Sequence, residues 1–127
     1  MRVQRDISNG PEAPAEARRL VTSLADHVSA ELLEDVRLAT SELVSNSYQH
    51  AGNPPGHPIK VTLDLRPDRL RLEVVDRSVF DPTPETRRER DDVQFGLAIL
   101  DRIADGWGRI DPPEGGIWAE FRLPNEA

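Results

Sequence analysis

The 127-residue chain contains no cysteine and a single lysine, Lys60. Without cysteine there is no disulfide framework, no thiol nucleophile and no cysteine-ligated zinc or iron-sulfur site. The three histidines, His27, His50 and His57, do not fall at metal-ligand spacing, so no structural metal is expected. Apolar runs are only a few residues long, against the roughly 18 to 20 that a membrane-spanning helix needs. No signal-peptide pattern follows Met1. These absences predict a soluble, cytoplasmic protein that does not enter a membrane. Positive charge is also short: 16 basic residues face 23 acidic ones, a formal charge of −7. Such a balance repels phosphate backbones and anionic lipid headgroups, which argues against direct nucleic-acid or membrane-surface binding and leaves only a local basic patch for a small anion.

Hydrophobic residues make up 37% of the chain and charged residues 31%, a mixture that supplies both a core and a polar surface. At roughly 100 to 200 residues per domain, the length predicts a single domain over 1–127. A domain of this size removes roughly two thirds of its unfolded surface from water and needs no staples.

Arg2 to Ile7 read as an edge strand before the turn-like Ser8-Asn9-Gly10-Pro11. Pro14 opens a first helix, and Ala17, Leu20, Val21, Leu24 and Val28 follow at helical spacing, which predicts a helix from Pro14 to Val28. Ser29 is placed to cap a second helix, from Ala30 to His50, that Ala51-Gly52-Asn53-Pro54-Pro55-Gly56 terminates. Ile59, Val61, Leu63 and Leu65 alternate with polar residues, and so do Leu70, Leu72 and Val74. With the tight turn Arg66-Pro67-Asp68-Arg69 between them, these runs predict a hairpin. A polar segment from Val79 to Phe95 reads as a lid or an unstructured stretch. A short helix from Gly96 to Ala104 and strands near Trp107 to Ile110 and Ile117 to Leu123 complete the chain. Strands and helices in this order, without regular βαβ alternation, predict an α+β two-layer sandwich, with helices on one face of a mainly antiparallel sheet.

On the second helix, at about 100° per residue, Leu32, Val36, Ala39 and Leu43 form an apolar stripe, with Glu42 and Asn46 one turn apart on its flank. A carboxylate there is placed to deprotonate a nucleophile, and an amide oxygen to ligate Mg²⁺, although from spacing alone two polar residues more often form a solvated helix edge. His50 falls near the stripe's centre at the helix end, a position that suits a packed or capping histidine better than a catalyst. Asp76 continues the inward phase of Leu70, Leu72 and Val74, so its carboxylate either meets hydrogen-bond donors at the core or begins a turn with Ser78. Gly96 at a helix start offers free N–H groups to an anion.

The run Leu38-Ala39-Thr40-Ser41-Glu42-Leu43-Val44-Ser45-Asn46-Ser47-Tyr48-Gln49-His50-Ala51 resembles the N box of GHKL-type ATPases. The likeness is greatest to the SELVxNxxxHA form found in bacterial anti-sigma factor serine kinases. Further segments resemble the family in order: Glu16-Ala17-Arg18-Arg19, Leu72-Glu73-Val74-Val75-Asp76, Gly96-Leu97-Ala98-Ile99-Leu100, Ile103-Ala104-Asp105-Gly106-Trp107-Gly108 and Gly115-Gly116-Ile117-Trp118.

The resemblance implies the Bergerat, histidine kinase-like ATPase fold, with ATP and Mg²⁺ as cofactors. It implies Asn46 as the Mg²⁺ ligand, Glu42 as the base toward an attacking hydroxyl and Asp76 as the acceptor for the adenine amino group. His50, Ser78, Gly96 and Leu97 are further nucleotide-binding positions, residues 79–95 are the ATP lid, and Arg87, Arg88 and Arg90 are candidate phosphate partners. The implied function is an anti-sigma factor that phosphorylates a serine or threonine of a STAS-type antagonist, working as a homodimer that binds a sigma factor. The family commonly has D-x-G-x-G where this chain has Asp76-Arg77-Ser78-Val79-Phe80, and G-x-G-L where it has Gln94-Phe95-Gly96-Leu97. Losing those glycines removes φ freedom where backbone approaches nucleotide. The alternative function is therefore a catalytically weak or inactive nucleotide-binding switch that acts only by sequestering a partner protein.

Overall fold

The computed structural model describes residues 1–50, 57–76, 91–111 and 113–123, with the side chains of 49, 50 and 91–96 left out of that description. Strand β1 (Arg2–Ile7) leads to helix α1 (Ala13–Thr22) and the long helix α2 (Ala30–His50). Then come the hairpin β2 (Ile59–Leu65) and β3 (Arg69–Val75), helix α3 (Asp91–Ile103), and strands β4 (Gly106–Ile110) and β5 (Gly116–Arg122). The five strands form one sheet in the order β1-β2-β3-β5-β4, antiparallel at every pairing. The three helices among the described residues lie against it, with α2 over β2, β3 and β5, α1 beside β1 and α3 beside β4. This is the α+β two-layer sandwich that the sequence pattern predicts.

The core is where the two periodicities meet. Val36, Ala39, Leu43 and Val44 of α2 are buried against Ile59, Val61 and Leu63 of β2, Leu70, Leu72 and Val74 of β3, and Ala119 and Phe121 of β5. Each Val, Leu, Ile or Phe side chain of this set contributes about 1.5 to 3 kcal/mol relative to exposure. The Ser29 cap forms: its Oγ accepts the N–H of Leu32 at 3.2 Å, and its carbonyl accepts the N–H of Leu33 at 2.9 Å. Arg18 of α1 donates to Ser41 Oγ of α2 at 2.9 Å and joins the two helices.

Two helix boundaries differ from expectation. Helix α1 ends at Thr22, not Val28. Beyond it the N–H groups of Ser23, Leu24, Ala25 and His27 bond three residues back, to Leu20, Val21, Thr22 and Leu24. These tight turns still deliver Leu24 to the core, where it is 1% exposed. Helix α3 begins at Asp91, not Gly96, so the last part of the expected lid is helical.

Away from the helices, the open sheet face is polar. Arg71 stacks over the ring of Trp118 at 4.7 Å and pairs with Glu73 at 2.9 Å. Trp118 lies so close to β4 that a Cβ at Gly108 would stand 2.9 Å from the indole Nε1. Glycine at 108 therefore permits the flat packing of the ring.

Candidate functional site

Asp76 lies one residue beyond β3 and keeps that strand's inward phase, so it both ends the strand and faces the helices. Its N–H donates to the Gly115 carbonyl at 3.0 Å, carrying the pairing with the β5 side one step past the strand. The side chain is 5% exposed. A carboxylate at that depth needs donors. One is Ser47 of α2, whose Oγ donates to Asp76 Oδ2 at 2.6 Å, the short length typical of a hydroxyl bonded to a carboxylate.

Ser47 is the residue that spacing arguments passed over, although a signal was present. It lies one turn beyond Leu43 and two beyond Thr40, inside the buried stripe of α2, and is itself 5% exposed. A hydroxyl in an apolar stripe requires a partner, and the inward-facing carboxylate of Asp76 supplies it.

Asn46 precedes Ser47 and is half-buried, as is Glu42 one turn earlier. The Asn46 side-chain Nδ2 is buried and has no hydrogen-bond partner among the described residues. A half-turn of the amide exchanges its oxygen and nitrogen, so either end is available at that position. An amide oxygen beside a nucleotide is a fitting ligand for Mg²⁺, a hard cation that takes few protein ligands and completes its shell from phosphate and water. The backbone thus brings Glu42, Asn46 and Ser47 along one helix to the end of the strand that carries Asp76.

The remaining expected positions are placed as follows. His50 is the last residue of α2, and its side chain lies outside the description. Gly96 and Leu97 are the sixth and seventh residues of α3, past the four N–H groups that a helix start leaves free. Their amides belong to the helix ladder, and the Leu97 side chain packs against the core. This corrects the expectation of a helix start at Gly96: Val93 already stands four residues before Leu97 at helical spacing, a signal that the charged run ahead of it obscured. Ser78, Arg87, Arg88 and Arg90, with most of the expected lid, lie outside the described residues.

Two open depressions, of about 470 and 740 Å³, lie at the other end of the sheet, around the β2–β3 turn. Their arginines are largely engaged: Arg66 pairs with Asp64 at 3.2 Å, and Arg69 and Arg71 approach Glu120 at 3.6 and 3.7 Å. None of the expected site residues lines either one. The described contacts bring Ser47 and Asp76 together, with Asn46 next to Ser47 in the chain.

Among the described residues, a five-stranded antiparallel sheet lies under three helices, with an inward carboxylate after β3 and an amide on the central helix whose Nδ2 has no partner; the match of the chain to a family of ATPase domains makes it a nucleotide-binding module of ATPase or kinase type. The chain belongs to the histidine kinase-like ATPase domain family, whose sequence profile matches residues 7–117. Membership implies ATP as the bound nucleotide. No curated protein matches the sequence. Among the described residues no helix is long and apolar enough to cross a membrane.

Proposed function

We propose that the protein is a cytoplasmic anti-sigma factor with ATP-dependent serine/threonine kinase activity. It binds a sigma factor as a homodimer and phosphorylates a STAS-type antagonist that competes for it. The observation that carries this reading is the buried Asn46 Nδ2, which has no hydrogen-bond partner among the described residues, one turn after Glu42 and next to Ser47, which bonds Asp76.

In this reading Asp76 accepts the amino group of adenine, and that contact fixes the base end of ATP. Asn46 faces the phosphates, where its amide oxygen would hold Mg²⁺; the ion when bound supplies charge neutralisation between phosphate oxygens. Glu42 takes the proton of the partner's serine or threonine hydroxyl as that oxygen attacks the γ-phosphorus. The bond from that phosphorus to the bridging oxygen breaks, and ADP leaves with the electron pair. Positioning and charge supply most of the acceleration in such a transfer. The net charge of −7 suits a protein that controls transcription through a basic protein surface without touching DNA.

The second reading is a nucleotide-binding switch without turnover, favoured by Ser78 and Phe80 where the family's first glycine box commonly has its glycines and by Gln94 where the second begins with glycine. A pull-down from the native cell with and without ATP, read by mass spectrometry, separates the two. The expected result is a sigma factor among the retained proteins, together with an antagonist that carries a new phosphoserine or phosphothreonine only when ATP is present. Retention of both partners with no phosphorylated residue assigns the protein to the switch reading.

A further inference from the structure

We infer that a second copy of this chain docks on the open edge of β1, two-fold about Gln4, so that the sheets of the two copies continue as one antiparallel sheet. This gives the proposed homodimer its interface and rests on that reading.

Strand β1 ends the sheet, and among the described residues nothing pairs with its outer side. The phase of that side is fixed at its first residue. Leu65 donates its N–H to the Met1 carbonyl at 2.7 Å, and the Met1 amino group donates to the Leu65 carbonyl at 2.9 Å. Such doubly bonded pairs alternate along an antiparallel ladder. Val3, Arg5 and Ile7 therefore turn their backbone groups toward β2, and Arg2, Gln4 and Asp6 turn theirs outward. These last three are exposed, on the sheet face away from the helices.

A row of unpaired N–H and C=O groups is a template for another strand, and charged residues on an edge commonly guard against that. Here the charges select one partner. In an isologous pair about Gln4, Arg2 stands opposite the second copy's Asp6, and Asp6 opposite its Arg2. All three outward residues are then matched. Moving the axis to Val3 leaves Asp6 without a mate in β1, and moving it to Arg5 sets arginine against arginine.

The register of the sheet carries this complementarity beyond the seam. Asp6 stands beside Lys60, while Arg2 stands beside Asp64, followed by Arg71 and Glu120. Across the seam the row reads Lys60, Asp6, and then the second copy's Arg2, Asp64, Arg71 and Glu120, with the sign alternating at every step. Opposite charges facing each other across strands stabilise a sheet, and like charges destabilise it. In a single copy neither Arg2 nor Asp6 forms an ion pair among the described residues, so both are available to the seam.

Sedimentation velocity of the full-length chain over a range of concentrations tests this, with Gln4→Pro, Arg2→Asp and Asp6→Arg beside wild type. Wild type is expected to show a concentration-dependent dimer that salt weakens. Proline at position 4 costs β1 no bond to β2, because the Gln4 N–H points outward, and it blocks the centre of the seam; the dissociation constant is expected to rise at least about tenfold. Each charge reversal sets like charges opposite each other on both sides of the axis and is expected to weaken the dimer by about tenfold. An equimolar mixture of Arg2→Asp and Asp6→Arg faces opposite charges again and is expected to return to within about threefold of wild type, a recovery that misfolding of either variant would not produce. A dimer unmoved by Gln4→Pro, or reversals with no recovery in the mixture, overturns the β1 seam and leaves the homodimer reading in place. A wild type that stays monomeric overturns both.

Discussion

Replacing Glu42 with glutamine is expected to slow phosphoryl transfer to the partner by roughly 10²- to 10⁴-fold, the contribution of a positioned general base. Glutamine keeps the length and shape of the side chain and forms helix about as well as glutamate, so α2 and its neighbours remain in place. What is lost is the ability to take a proton from the attacking hydroxyl. In the proposed role Glu42 acts on the acceptor and not on the nucleotide, so Mg-ATP affinity should stay within about twofold of wild type. Single-turnover transfer to the antagonist at saturating ATP reads the first quantity, and calorimetry the second. Transfer at the wild-type rate removes Glu42 from the chemistry. A parallel loss of ATP affinity assigns it to binding instead.

Gly116→Ala is expected to destabilise the fold by about 2 to 5 kcal/mol, which combines overpacking with backbone strain. Gly116 starts β5 with φ at +155°, and a Cβ there would stand 2.0 Å from the Val74 carbonyl oxygen and 3.0 Å from the Val75 Cα. These are backbone atoms of β3, so no side chain can turn aside to relieve the contact. The strands must part where Val75 pairs with Gly116. Next to that pair Asp76 donates its N–H to Gly115, so the same displacement loosens the carboxylate of the site. Thermal unfolding should show a midpoint lower by roughly 8 to 20 °C, at about 4 °C per kcal/mol for a domain of this size. Nucleotide affinity should fall as well. A variant with an unchanged midpoint contradicts this tight approach of β5 to β3.

How much of this was legible in the sequence depended on how local each cause was. The β2–β3 hairpin was legible because strict alternation continues on both sides of a turn closed by the Arg66 N–H on the Arg69 carbonyl at 2.8 Å. The start of α2 was legible because Ser29 carries its own capping oxygen. The end of α1 was not, since apolar residues at 20, 21, 24 and 28 fit a continuing helix and a run of tight turns equally well. The placement of β5 between β3 and β4 follows from pairing across the chain, which no local period encodes. The site divides in the same way. Helix periodicity put Glu42 and Asn46 on one flank, and strand phase turned Asp76 inward, but that Ser47 meets Asp76 depends on how α2 lies across the sheet.

Titration of Mg-ATP into wild type and Asp76→Ala by calorimetry probes the nucleotide site most directly. Wild type should bind saturably, with one nucleotide per chain, and Asp76→Ala should bind about ten- to hundredfold more weakly, the loss of one hydrogen bond to a charged acceptor. Equal affinity in the two folded chains, or a wild type with no saturable binding, would contradict a nucleotide site built on Asp76.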